Sequence, residues 1–220
     1  MNVEDVELSV DGDCVPGRLN VPDDPTGAGV ICLPGAEHGP YGDVFDRVAR
    51  AASERGLYFL RYESWADMGD IQQKTLGRLH REIDAAFDLL ASRDCTETSL
   101  VGKSAGGGIV LTYAPGRANR LVVWAPAIRL AAESNVDAIL EQRLADTDGA
   151  QVGPDRLETI DVPVCILQGE DDEGFLENSR ELVDDLPNAE LVEIEGLDHS
   201  FTGSPFDRIV VDETIARLTA

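Results

Sequence analysis

Short apolar runs alternate with amphipathic stretches along most of these 220 residues, and that alternation constrains the fold more than any other feature of the chain. Runs at 28–33, 57–62, 99–101, 121–124, 164–168 and 191–194 read as strands, with helices near 43–55, 70–92, 105–114, 176–186 and 206–218. Strands separated by helices tend to return in the same direction, so the expected architecture is an α/β fold with a mostly parallel sheet covered on both faces. Segments 3–10 and 14–21, joined by Asp11-Gly12-Asp13, predict an antiparallel opening hairpin. In the longest helix Leu76, Leu79, Ile83, Ala86, Phe87 and Leu90 recur every three or four positions, which turns one stripe toward the sheet. No repeat or linker divides the chain, and its length suits one sizeable core, so 1–220 is read as a single domain. The irregular part is 127–161, where Ile139-Leu140 and Leu144 suggest a short helix. An active-site cap or lid would sit in such a long connection, the alternative being an ordinary surface crossover.

Charge narrows the partners. There are 42 acidic residues against 18 basic ones, for a formal net charge of -24, and the only lysines are Lys74 and Lys103. Binding to nucleic acid needs clustered cations that neutralise phosphates, so nucleic acid is excluded as an expected partner. Self-repulsion on this scale weakens when salt shortens the Debye length to about 3 Å near 1 M. The acid-rich, lysine-poor composition resembles that of proteins from salt-accumulating archaea, and adaptation to high salt is the expectation. No apolar run reaches the roughly 18 to 20 residues of a membrane span, and Met1-Asn2-Val3-Glu4-Asp5 lacks the features of a signal peptide, so a cytoplasmic protein is expected. Cys14, Cys32, Cys95 and Cys165 lack C-x-x-C spacing and read as buried thiols rather than disulfides or zinc ligands.

Gly102-Lys103-Ser104-Ala105-Gly106 follows an apolar run and has the G-x-S-x-G form of a nucleophile elbow. Small neighbours are required there, because the turn is tight and the serine hydroxyl must stand clear of the sheet. The rival reading of Gly-Lys-Ser as a phosphate-binding loop needs a glycine where Glu97 stands, and a loop where 98–101 reads as strand. A serine hydroxyl needs a base and an orienting carboxylate. Of the three histidines only His199 follows Ser104, just past a strand; His80 falls in the long helix as an expected solvent-facing residue, and His38 precedes the serine. The acid is expected in Gly169-Glu170-Asp171-Asp172-Glu173-Gly174, with Asp172 the first choice and Asp171 the second. Oxyanion donors are expected from the backbone N–H of Ala105, at a helix start, and of Ala36, in the loop after 28–33. Lys103, with an ordinary ammonium pKa, is no base at neutral pH and is expected to pair with a carboxylate. Trp65, Met68, Trp124, Phe175 and Phe201 lie near strand ends, as either acyl-pocket lining or core.

With these pieces placed, the chain resembles the α/β-hydrolase superfamily over nearly its whole length. Gly102-Lys103-Ser104-Ala105-Gly106-Gly107 and Asp198-His199-Ser200-Phe201 look most like small dienelactone-hydrolase-like members, although dienelactone hydrolases proper have a cysteine nucleophile. The resemblance implies an eight-stranded sheet and nucleophile, acid and base roles for Ser104, Asp172 and His199. The expected activity is a serine hydrolase acting on a small-molecule carboxylic ester or related acyl bond, without metal or organic cofactor. The alternative is an inactive binding or scaffold protein on the same fold.

Overall fold

The computed structural model describes residues 2–36, 39–113, 117–128 and 157–220, except the side chain of Met68. Strands β1 (Asn2–Val10) and β2 (Asp13–Val21) form the opening hairpin, antiparallel in register from Asn2 opposite Val21 to Val10 opposite Asp13. They are followed by β3 (Ala28–Leu33), β4 (Tyr58–Tyr62), β5 (Glu97–Lys103), β6 (Arg120–Trp124), β7 (Val164–Gly169) and β8 (Ala189–Ile194). The eight strands make one sheet in the order β1-β2-β4-β3-β5-β6-β7-β8. β2 meets β4 antiparallel, and every pairing from β4 through β8 is parallel. The carboxyl ends of β3, β5, β7 and β8 therefore share one edge of the sheet, where open parallel sheets place their ligands.

Helices α1 (Asp43–Glu54), α2 (Met68–Ile71), α3 (Leu76–Ala91), α4 (Ala105–Tyr113), α5 (Glu173–Asp185) and α6 (Phe206–Leu218) cover the two faces. Side chains alternate along each strand, so β3 sends Ile31 and Leu33 into one core and Val30 and Cys32 into the other. The first core holds the predicted stripe of α3, from Leu76 to Leu90, with Ile109 to Leu111 of α4. The second holds Val44, Phe45 and Val48 of α1 with Val210 and Ile215 of α6. Burial on both faces is why the central strands read as continuous apolar runs rather than as alternating ones.

Several boundaries differ from expectation for local reasons. The long helix is not continuous from 70, because Thr75 caps α3: its hydroxyl accepts the Arg78 N–H at 3.1 Å, leaving Met68–Ile71 as a separate turn. β5 is longer than 99–101 and carries the chain up to Ser104. α5 begins at Glu173 rather than 176, which puts Asp172 at its N-cap position. His80 is half-buried rather than solvent-facing: its Nε2 lies 3.1 Å from Thr112 Oγ1 and its ring meets Tyr113 edge-on at 5.4 Å. All four cysteines are free, with Cys32 and Cys165 buried, Cys95 half-buried and Cys14 exposed, which corrects the expectation for Cys14. Desolvation pushes the thiols of Cys32 and Cys165 up to about 12, so they stay neutral. The expected helix near Ile139-Leu140 and Leu144, most of the 127–161 segment and His38 lie outside the described residues. Among the described residues no helix is long and apolar enough to cross a membrane.

Candidate active site

β5 ends at Lys103 and α4 begins at Ala105, so Ser104 alone turns the chain from strand to helix. It does so with φ of 49°, a left-handed conformation costing about 1–3 kcal/mol for a residue with a side chain, held by its surroundings. The Ser104 N–H donates to Trp124 O at 2.8 Å, and Ser104 O accepts the N–H groups of Gly108 at 3.0 Å and Ala127 at 2.9 Å. Two glycines allow this closeness. A Cβ on Gly106 would stand 2.4 Å from Pro34 O, and one on Gly102 would stand 2.6 Å from Gly106 O. With hydrogen there instead, the Gly106 N–H reaches Pro34 O at 3.1 Å and fastens α4 to the loop after β3.

At the end of β7, Asp172 is buried while Asp171 is exposed. The Asp171 N–H donates to Leu197 O at 3.0 Å, so the loop after β7 is tied to the loop after β8 that carries His199. His199 Nδ1 lies 2.6 Å from Asp172 Oδ2, and its Nε2 lies 3.1 Å from Ser104 Oγ. An ionised carboxylate only accepts, so Nδ1 carries the proton and Nε2 is left to accept the serine O–H. Three side chains from three loops thus meet in one hydrogen-bonded line, with Asp172, not Asp171, at its end.

The line is braced by residues that were not expected in the site. Gln168 Nε2 donates to Asp172 Oδ2 at 3.2 Å and to Gly169 O at 3.2 Å, while Ser179 Oγ donates to Gln168 Oε1 at 2.7 Å. The available signal was Gln168 itself, a polar residue at the end of an otherwise apolar strand. The Phe175 ring, on the first turn of α5, stacks on the imidazole with centroids 4.3 Å apart. Phe175, Trp65, Trp124 and Phe201 are all buried, Trp65 in the first core and the other three in the second.

Lys103 is 7% exposed, and its Nζ donates to Ser200 O at 3.0 Å, a backbone carbonyl of the histidine loop. It also lies 5.9 Å over the Phe201 ring. The ammonium therefore bridges the serine turn and the histidine loop. Asp198, beside His199, accepts the N–H and O–H of Ser200 at 2.9 and 2.5 Å. Those bonds, helped by the Lys103 ammonium, hold its carboxyl below the usual range.

The loop after β3 also reaches the serine. A Cβ on Gly35 would lie 3.6 Å from Ser104 Cβ, next to Ala36, and both Ala36 and Ala105 are buried. Among the described residues no group of three or more His, Cys, Asp or Glu side chains is arranged to hold a metal ion.

No protein-family model matches the chain, and no curated protein sequence matches it. Solved structures do. Est1E from Butyrivibrio proteoclasticus superposes with a TM-score of 0.76 at 19% identity, covering 96% of each chain. A dienelactone hydrolase from Anabaena variabilis gives 0.77 at 18% identity, covering 99% of this chain and 97% of the other. The esterase domain of a Rhodothermus marinus protein gives 0.74 at 17% identity, covering 98% and 97%. The superpositions span nearly the full length of each chain, and with its eight-stranded, mostly parallel sheet and opening hairpin the chain has the α/β-hydrolase fold.

Proposed function

We propose that this chain is a serine hydrolase that cleaves a carboxylic ester or related acyl bond of a small molecule through an acyl-enzyme. The observation that carries the proposal is the line from Asp172 through His199 to Ser104, with links of 2.6 and 3.1 Å. His199 Nε2 takes the Ser104 proton as Oγ attacks the acyl carbon. The carbonyl π electrons move onto oxygen, and the resulting oxyanion is held by the backbone N–H groups of Ala36 and Ala105. When the tetrahedral intermediate collapses, His199 returns the proton to the departing alcohol, leaving the acyl group on Ser104. Water then repeats the sequence, with His199 as its base, and releases the acid. Asp172 keeps the imidazole in the required tautomer and stabilises its protonated form. No step calls on a metal or organic cofactor.

The names of the structural neighbours support acyl chemistry on this fold, and ferulic acid is bound in one structure of Est1E. The net charge of -24 supports a second part of the proposal, that the protein is adapted to molar salt. Hydrolysis of short p-nitrophenyl esters by the wild type and by Ser104→Ala, both in molar potassium chloride, tests the activity. The wild type is expected to turn over and the variant to be inert. Equal rates would remove Ser104 as nucleophile, and an inert wild type would favour a binding or scaffold role.

A further inference from the structure

Trp65 is a buried side chain near the serine that the catalytic steps above leave without a task. It is 1% exposed, yet its indole Nε1–H donates at 2.9 Å to the backbone carbonyl of Gly35. That carbonyl belongs to the same amide as the Ala36 N–H. The single cis peptide bond among the described residues is Ser204–Pro205, so the Gly35–Ala36 bond is trans and its C=O and N–H point to opposite sides. Fixing the oxygen therefore fixes the direction of the hydrogen. The neighbouring amide is fixed as well, since Pro34 O accepts the Gly106 N–H. Two successive carbonyls are thus tied down, one by the helix behind Ser104 and one by Trp65.

Trp65 is itself held from the loop after β4. Its neighbour Ser64 donates from Oγ to Glu82 Oε2, and Glu82 is fully buried on α3. Lys74 Nζ and Arg78 Nε donate to the other carboxylate oxygen at 2.8 and 2.9 Å, which balances its charge. A satisfied buried network of this kind is rigid, whereas one missing a partner would be costly. A donor on the carbonyl side of an amide also polarises it, making its N–H a stronger donor.

We infer that Trp65 is a positioning residue for the oxyanion hole, aiming and polarising the Gly35–Ala36 amide so that the Ala36 N–H is directed where the acyl oxygen gains charge. The inference rests on the serine-hydrolase proposal and adds a residue that touches neither substrate nor reacting atoms. Trp65→Phe keeps most of the buried ring and removes only the N–H.

The test compares each protein on a matched pair of p-nitrophenyl esters, one with C=O and one with C=S. Charge on sulfur is a poor acceptor for backbone donors, so the oxo-to-thiono ratio of kcat/KM reads the oxyanion hole, while general damage lowers both rates alike. Losing a whole donor lowers kcat about 100- to 1000-fold in related sites, and misaiming one is expected to cost part of that. For Trp65→Phe the oxo-ester kcat should fall about tenfold with KM little changed, and the ratio should fall about tenfold. Ser64→Ala loosens the same loop while keeping the indole, and should lower the ratio about threefold; it decides the matter if Trp65→Phe does not fold. An unchanged ratio in the folded variants overturns the role of Trp65 while Ser104→Ala stays inert. Activity retained by Ser104→Ala overturns the underlying proposal instead.

Discussion

Replacing Asp172 by asparagine should damage this site far less than such a change does when the new amide is free to turn. Asp172 Oδ2 receives two donors, His199 Nδ1 at 2.6 Å and Gln168 Nε2 at 3.2 Å. Gln168 cannot reverse its own amide cheaply, because Nε2 faces Gly169 O and Oε1 accepts from Ser179. In Asp172→Asn the new amide oxygen therefore takes the Oδ2 position, since the opposite orientation sets two NH2 groups against each other. An unmet buried donor costs about 1–3 kcal/mol, which favours the oxygen-in orientation by about 5- to 150-fold. The histidine tautomer survives, and only charge is lost. The gap between a charged and a neutral hydrogen bond is about 1–2 kcal/mol, so kcat/KM for p-nitrophenyl acetate should fall about 5- to 30-fold. Asp172→Ala, with no acceptor, should fall on the order of ten-thousand-fold. Adding Gln168→Leu to Asp172→Asn frees the amide to turn and should carry the double variant toward the alanine value, a loss well beyond the sum of the two single effects. If Asp172→Asn alone matches alanine, and Gln168→Leu adds nothing, the argument from the glutamine brace is wrong.

Thermal unfolding measured from 0.1 to 2 M potassium chloride should move to higher temperature as salt screens the net charge of -24, and a flat response would refute salt adaptation. Lys103→Met should lower kcat several-fold with KM unchanged, because the Ser200 tether holds the histidine loop and not the substrate; Lys103→Arg should restore part of the loss, and unchanged kcat in both would remove Lys103 from positioning. The carboxyl of Asp198 is lowered by its bonds to Ser200, so its contribution to stability is present above the unfolded value near pH 4 and is lost as pH falls through the folded value. Asp198→Ala should thus be less stable than the wild type at pH 7, and the gap should close once acid has protonated the carboxyl in both the folded and unfolded states, as read by urea unfolding; a gap that persists in acid would point to another cause.

The sheet and the site were legible in the sequence to different depths. Parallel strands buried on both faces announce themselves as apolar runs, and the stripe of α3 declares which side packs inward. The tight turn at Ser104 could be expected because it tolerates only small neighbours, and a histidine beside it could be expected at His199 because chain order left one candidate; the two side chains do meet, at 3.1 Å. The choice between Asp171 and Asp172 required three dimensions, since adjacent residues in a loop differ in direction rather than in chemistry. Gln168 and Ser179 act only through a partner that folding delivers, and the bond from Trp65 to Gly35 spans thirty positions with no local pattern to mark it. His80 was misjudged for the same reason: its partners Thr112 and Tyr113 come from a different helix.

The central claim is that Ser104 Oγ is the nucleophile primed by His199. A fluorophosphonate forms a stable covalent bond to such a hydroxyl, and digestion followed by mass spectrometry locates the adduct. The account predicts one equivalent of label on the peptide containing Ser104, and its loss in both Ser104→Ala and His199→Ala. A label on any other residue, or none on folded wild-type protein in molar salt, would contradict it.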